Sequence, residues 1–138
     1  MRAAFYGGRH FNNIQKLYEA FHTLAADRGM AEVYTTDEPG GPAYIVDFAQ
    51  EADLELHVVK APWRTDGDHA EGRRRYILVH ATPDLVVLLP GGREVAHMAA
   101  MCQAAGLPVW DLRTLPFIRL GDDRQLGDSE TPWRDVVF

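Results

Sequence analysis

The stretch Leu85-Val86-Val87-Leu88-Leu89-Pro90-Gly91-Gly92-Arg93 decides the fold of this chain. A run of apolar residues ends at a proline and two glycines, and a helical pattern then begins. An uninterrupted apolar run of this kind predicts a strand that is buried on both faces, as in a parallel sheet covered by helices. The glycines allow a sharp turn with bare N–H groups close to a ligand. The helix that follows would direct the positive end of its dipole at the same place, which indicates a phosphate site.

The length and composition indicate one globular domain. The chain has 138 residues, of which 46% are hydrophobic and 25% are charged, as in ordinary globular proteins. Its net charge of −6 disfavours a nucleic-acid-binding surface, which needs a basic face. The apolar run at the N-terminus is too short for a signal peptide or a membrane span. We therefore expect a cytoplasmic protein with neither a nucleic-acid nor a membrane partner.

Apolar periodicity along the chain predicts strands that alternate with helices. The predicted strands are residues 3–6, 32–35, 54–59, 85–89 and 108–110. Helical spacing is found from Asn13 to Gly29, from Ile45 to Ala52, after the arginines at 73–75, and from Val95 to Gly106. This alternation predicts a Rossmann-like three-layer α/β/α sandwich with a mainly parallel sheet of order 3-2-1-4-5.

The last residues fit no further strand–helix unit. We predict a Rossmann-like domain over residues 1–111 and an irregular C-terminal extension over residues 112–138. Phe117-Ile118-Arg119-Leu120 is suited to an extra edge strand. Trp133 and Val136-Val137-Phe138 are apolar, so they would be buried either on their own domain or against a second copy in a homo-oligomer.

The predicted strand order places a ligand crevice between two similar turns. The first and fourth strands are neighbours at which the chain direction reverses, and open α/β sheets bind ligands at the carboxyl ends of such strands. Gly7-Gly8-Arg9, here called the first glycine turn, follows the first strand. Pro90-Gly91-Gly92-Arg93, the second glycine turn, follows the fourth. We expect their backbone amides to hold a phosphate, with Arg9 and Arg93 adding charge-assisted hydrogen bonds.

Six further residues are predicted as possible ligand contacts. Acidic residues after the second strand of dinucleotide folds accept hydrogen bonds from ribose hydroxyls, although an exposed turn is an equal alternative here. A tryptophan in the middle loop is suited to stack on a base or sugar, or to pack the loop on the core. An arginine at the start of the third helix would add a cation, although a solvated helix face or an intersubunit salt bridge is an equal alternative. The six are His10, Asp37, Glu38, Trp63, Arg74 and Glu94.

Several kinds of site are disfavoured by the sequence. The six histidines form no His-x-x-x-His or His-x-His pair, so we expect no metal. The single cysteine, Cys102, excludes an intrachain disulfide and lies on the apolar face of the fourth helix. Ser129 is the only serine and lies in the polar tail, which disfavours a serine triad. We expect no cofactor.

With the turns placed, the chain resembles the SLOG (Smf/DprA–LOG) superfamily, as a divergent member of its YspA-type branch. The resemblance covers residues 2–111 and rests on four short motifs in the right order. They are Gly7-Gly8-Arg9, then Trp63, Gly67, Ala70, Gly72 and Arg74 or Arg75, then residues 84–92, then Ala105-Gly106-Leu107-Pro108-Val109. The resemblance implies a Rossmann-like fold that binds a nucleotide or a nucleotide-derived ligand such as ADP-ribose.

Departures from the family pattern bear on catalysis. The family's second motif falls on residues 36–42, where its Arg and Asp are replaced. The LOG phosphoribohydrolases carry Pro-Gly-Gly-x-Gly-Thr-x-x-Glu, and Met98 stands at the position of that acidic residue. A methionine neither stabilises an oxocarbenium ion nor transfers a proton. The resemblance therefore implies a binding protein without LOG-type catalysis.

Two other functions stay open at this point. The first is a hydrolase acting on an N-glycosidic or phosphoester bond of a nucleotide, with Glu94, Asp37 or His97 as relocated catalytic groups. His10 is a further candidate general acid or base near the crevice. The second is an interaction or inhibitory protein that retains the scaffold without a ligand, which the replaced second motif and the apolar C-terminus favour.

Overall fold

A computed structural model describes residues 1–61 and 67–116 of the chain. Its strands are β1 (Arg2–Tyr6), β2 (Glu32–Thr36), β3 (Glu55–Val59), β4 (Leu85–Leu88) and β5 (Val109–Asp111). Its α-helices are α1 (Ile14–Asp27), α2 (Gly41–Glu51), α3 (Ala70–His80) and α4 (Arg93–Ala105). A short 3₁₀ helix, Gly67–His69, leads into α3.

The strands form one parallel sheet in the order β3-β2-β1-β4-β5. This confirms the predicted Rossmann-like α/β fold and strand order. In the central pair, Tyr6 is opposite Leu88, and the N–H of Leu89 donates to the carbonyl of Tyr6 at 2.9 Å. The first and second glycine turns therefore leave the sheet side by side, at the same edge.

Helices cover both faces of the sheet. Alternate residues of a strand point to opposite faces, and β1 shows this with Phe5 in one core and Tyr6 in the other. The Phe5 core is completed by α1 and α2, and the Tyr6 core by α3 and α4. This arrangement is the one that right-handed crossovers on either side of β1 require.

The helix ends follow the capping chemistry of the sequence. The side chain of Asn13 accepts a hydrogen bond from the N–H of Lys16 at 3.3 Å and thereby caps α1. Gly106 ends α4 in the left-handed conformation that glycine adopts without strain. The apolar face of α1 is narrower than its spacing indicates, because Ile14 and Tyr18 are largely exposed.

Two helices begin earlier than the sequence indicated. Helical spacing was found only from Ile45 onward, but α2 starts at Gly41, because Pro42 fits the first turn of a helix. The arginines at 73–75 were expected at the start of the third helix, but α3 starts at Ala70, which is fully buried. Arg74 and its neighbours therefore lie inside α3.

The predictions for the C-terminal extension lie mostly outside the described residues. These are the edge strand at 117–120, the apolar residues 133–138 and their part in a homo-oligomer. Within the described ranges, no helix is long and apolar enough to cross a membrane.

Candidate functional site

A cavity of about 730 Å³ opens at the carboxyl ends of β1 and β4. It lies where the crevice was predicted, and we call it the crevice. Both glycine turns, the first turn of α3 and the first turn of α4 form its walls. Its lining comprises Tyr6, Gly7, Gly8, Arg9, His10, Glu38, Glu71, Gly72, Arg75, Pro90, Gly91, Gly92, Arg93, Glu94, Val95 and His97.

The first glycine turn folds over the start of α2. Gly7 and Gly8 have φ angles of +91° and +78°, in the region that favours glycine. The carbonyl of Gly8 accepts hydrogen bonds from the N–H of Phe11 at 2.9 Å and of Gly41 at 2.8 Å. An N–H group in the first turn of α2 is therefore already bonded to the first glycine turn.

Val95 packs beneath both glycine turns. A Cβ atom added to Gly7 or to Gly91 would lie 2.5 Å from Cγ2 of Val95, which is far inside carbon–carbon contact distance. The position of a Cβ on Gly91 is also only 3.8 Å from the backbone nitrogen of Gly8. The close approach of the two turns thus depends on the absence of side chains.

The start of α4 is open to the crevice. Its N-cap residue, Gly92, supplies no side-chain cap, and the first N–H groups of any helix lack intrahelical partners. A Cβ on Gly92 would meet no atom within 4 Å. These N–H groups and the helix dipole make the start of α4 suited to an anion.

Three arginine side chains line the crevice into which the start of α4 opens. Arg9 and Arg93 line the crevice, and neither forms an ion pair with another described residue. Arg75 also lines it and donates from Nη1 to the hydroxyl of Tyr6 at 3.4 Å. Burial raises the pKa of Tyr6, so its hydroxyl stays protonated. That proton has no acceptor in the described part of the chain and is available to a ligand.

Three carboxylates face the same cavity from three different elements. Glu38 follows β2, Glu71 belongs to α3 and Glu94 to α4, and one oxygen of each lies within 4.8 Å of the others. We call them the carboxylate cluster. A hydrogen bond with Glu94 and, secondarily, burial raise the pKa of Glu71. Two carboxyl groups in such contact are most stable when they share a proton.

Arg74 holds this cluster in place from behind the cavity wall. Its side chain is 3% exposed, and its guanidinium pairs with Asp37 at 3.0 Å, Glu38 at 3.1 Å and Glu71 at 3.4 Å. It thereby joins the segment after β2 to α3. Among the described residues, Arg74 and Asp37 are not part of the crevice lining, and Arg74 fixes the positions of Glu38 and Glu71 through its ion pairs. Trp63 lies outside the described residues.

Most of the residues predicted as ligand contacts line the crevice, and several other lining residues were not predicted. Both glycine turns, His10, Glu38 and Glu94 line it, and so does His97, which was weighed as an acid or base. Tyr6 was interpreted only as a strand residue, although the end of β1 marks the edge of the crevice. Arg75 was quoted beside Arg74 in the family motif but was not predicted as a ligand contact. Glu71 had no signal, because the polar segment before it shows no periodicity. Val95 marks the start of the fourth helical pattern, and nothing in that pattern indicates its contact with both glycine turns.

Comparisons with models of protein families, with curated proteins and with solved structures found no match to this chain. Membership of the SLOG superfamily therefore stays a prediction that rests on the motifs quoted above. The descriptions of the fold and of the crevice depend only on the structure of this chain.

Proposed function

We propose that this protein binds a nucleotide or nucleotide-derived ligand, such as an ADP-ribose-like molecule, in the crevice, as a divergent SLOG protein of the YspA type. The observation that carries the proposal is the meeting of two Gly-Gly-Arg turns at the uncapped start of α4. Backbone amides of the second glycine turn would hold a phosphate against the helix dipole. Arg9 and Arg93 would add charge-assisted hydrogen bonds to its oxygens.

The remainder of the crevice is suited to the other half of such a ligand. Carboxylates accept hydrogen bonds from sugar hydroxyls, and Glu38 and Glu94 stand on the wall beside the second glycine turn. The hydroxyl of Tyr6 offers a donor at the floor. The cavity volume of about 730 Å³ is in the usual range for small-molecule sites.

Titration calorimetry with ADP-ribose and with AMP tests this proposal. Arg93→Gln should weaken binding about tenfold, because it removes one charge-assisted hydrogen bond worth about 1.5 kcal/mol. Arg73→Gln is the matched control, since it removes the same charge from α3 at an exposed residue whose guanidinium lies over Tyr76 and outside the crevice. Absence of binding at millimolar ligand, or equal weakening by both variants, would count against the proposal.

A second candidate function is hydrolysis of an N-glycosidic or phosphoester bond of a nucleotide. The observation that favours it is the contact of Glu71 with Glu94 in the crevice, since a protonated and an ionised carboxyl group side by side can act as general acid and general base. Incubation with nucleoside monophosphates and NAD, followed by chromatography, tests it. Turnover that Glu94→Gln abolishes would make hydrolysis the leading function. Cytoplasmic location and homo-oligomerisation stay predictions of the sequence.

A further inference from the structure

Glu71 and Glu94 bring two carboxyl groups within 4.8 Å of each other at the place proposed for an anion. They belong to different helices, so the contact is imposed by the packing of α3 on α4 rather than by local chain geometry. Glu94 lies in the first turn of α4, next to the second glycine turn. An anion held by that turn would therefore lie close to both carboxyl groups.

The surrounding cations offset the repulsion in this pair only in part, because the pKa of Glu71 is raised by Glu94 and by burial although Arg74 and Arg75 lower it. On α3, Arg74 is shared among three carboxylates and Arg75 donates to Tyr6. Glu38 adds a third negative charge from the segment after β2. The other titratable or charged groups that line the crevice are Arg9, His10, Arg93 and His97. A hydrogen bond between the two carboxyl groups requires a proton on one of them.

We propose that ligand binding in the crevice is coupled to uptake of a proton by the Glu71–Glu94 pair, so that an anionic ligand binds more tightly as the pH falls. This inference rests on the proposed function and adds to it how the site is regulated. The proton comes from solvent and ends between one oxygen of Glu71 and one of Glu94. No covalent bond to the ligand forms or breaks.

The direction follows from electrostatics. A bound anion disfavours ionisation of nearby carboxyl groups, so it raises their affinity for a proton above that in the free protein. By linkage, log affinity then falls with rising pH, with a slope equal in size to the number of protons taken up. For one proton, the affinity changes by at most about tenfold per pH unit. The raised pKa of Glu71 in the free protein, caused by Glu94 and by burial, brings this titration above the usual range of a glutamate.

The first experiment measures the pair without any ligand. Carboxyl carbon-13 spectra of glutamate-labelled protein are recorded from about pH 4 to about pH 9, which spans ordinary glutamate titration. Glu71→Gln and Glu94→Gln assign the two signals. We expect the Glu71 signal to titrate above those of the other glutamates, and Glu94→Gln to bring it back toward them. A Glu71 signal that titrates with the other glutamates, or one that Glu94→Gln leaves unchanged, would overturn the inference.

The second experiment measures proton uptake directly. ADP-ribose is titrated calorimetrically at one pH in two buffers of different ionisation enthalpy, because its bridging phosphates have no ionisation near neutral pH. We expect uptake of up to one proton by the wild-type protein and a smaller uptake by Glu71→Gln and by Glu94→Gln. His10→Gln and His97→Gln are the controls, since a histidine that binds an anion also takes up a proton.

The outcomes separate this inference from the proposed function. Binding of ADP-ribose with no proton uptake, or with an uptake that only the histidine variants remove, overturns the coupling and leaves the proposed function standing. No binding at any pH overturns the proposed function and the coupling together. If one glutamine variant fails to fold, the other carries the same comparison, since either removes the shared proton.

Discussion

Replacing Gly91 by alanine tests how the two glycine turns are held together. Gly91 has no positive φ, so the cost of a side chain there arises from contact alone. The new methyl group would lie 2.5 Å from Cγ2 of Val95, but 3.5 Å from its Cβ. We expect Gly91→Ala to destabilise the fold by about 1–3 kcal/mol, the usual cost of overpacking. Urea unfolding followed by circular dichroism measures this free energy.

The compensating change is Val95→Ala, which removes the methyl group that is in the way. Val95 is 2% exposed, so truncating it alone should cost about 2 kcal/mol in lost burial and cavity formation. In Gly91→Ala/Val95→Ala the added methyl group fills part of that space. We therefore expect the double variant to be about 1–2 kcal/mol more stable than the sum of the single effects.

Gly7→Ala provides the contrast. Its Cβ also meets Val95, but it stands 3.0 Å from the carbonyl oxygen of Leu89 and its φ is +91°. Backbone strain of this kind does not depend on Val95, so Val95→Ala should recover much less of the loss. Additive effects of Gly91→Ala and Val95→Ala, or equal recovery at both glycines, would refute the packing of Val95 beneath the turns.

Three further outcomes follow from the crevice and the core. Gly92→Asp places a carboxylate in open space at the start of α4, so it should change the free energy of unfolding by less than about 1 kcal/mol. The same carboxylate should abolish ADP-ribose binding in calorimetry. Retained binding would contradict a phosphate at this helix start. Glu71 has a raised pKa in the folded protein, so its ionisation lowers stability as the pH rises through that pKa. Glu71→Gln should therefore stabilise the fold more at about pH 8 than at about pH 5 in urea titrations, and the reverse order would contradict the sign. Burial raises the pKa of Cys102 to about 11, so a thiol-specific disulfide reagent should react only as the protein unfolds; rapid labelling of the native protein would contradict this.

The sheet could be predicted because its signals are local and repeated. Runs such as Leu85–Leu88 are apolar without alternation, which is typical of strands covered on both faces. Each is followed by a turn residue and a helical pattern, and right-handed crossovers then leave few strand orders. The caps of α1 and α4 were visible for the same reason, since Asn13 and Gly106 act within their own turns.

The crevice could be predicted only where it is built from the turns that follow strands. The second glycine turn is visible in the sequence, but the neighbours of Glu94 are set by how α3 packs on α4. Nothing near Glu71 in the sequence indicates that its carboxyl group meets one that is 23 residues further along the chain. The burial of Arg74 among three carboxylates is likewise a tertiary effect, which nothing in the sequence around Arg74 indicates.

A nitrogen-15 correlation spectrum of the backbone amides, recorded while ADP-ribose is added, tests the proposed site most directly. We expect the largest shifts at the amides of both glycine turns and of Glu94, at the uncapped start of α4. The amides of β3 and of the far ends of α1 and α2 should stay unchanged. No shift at millimolar ligand, or shifts confined to residues away from the two glycine turns, would contradict a nucleotide site in the crevice.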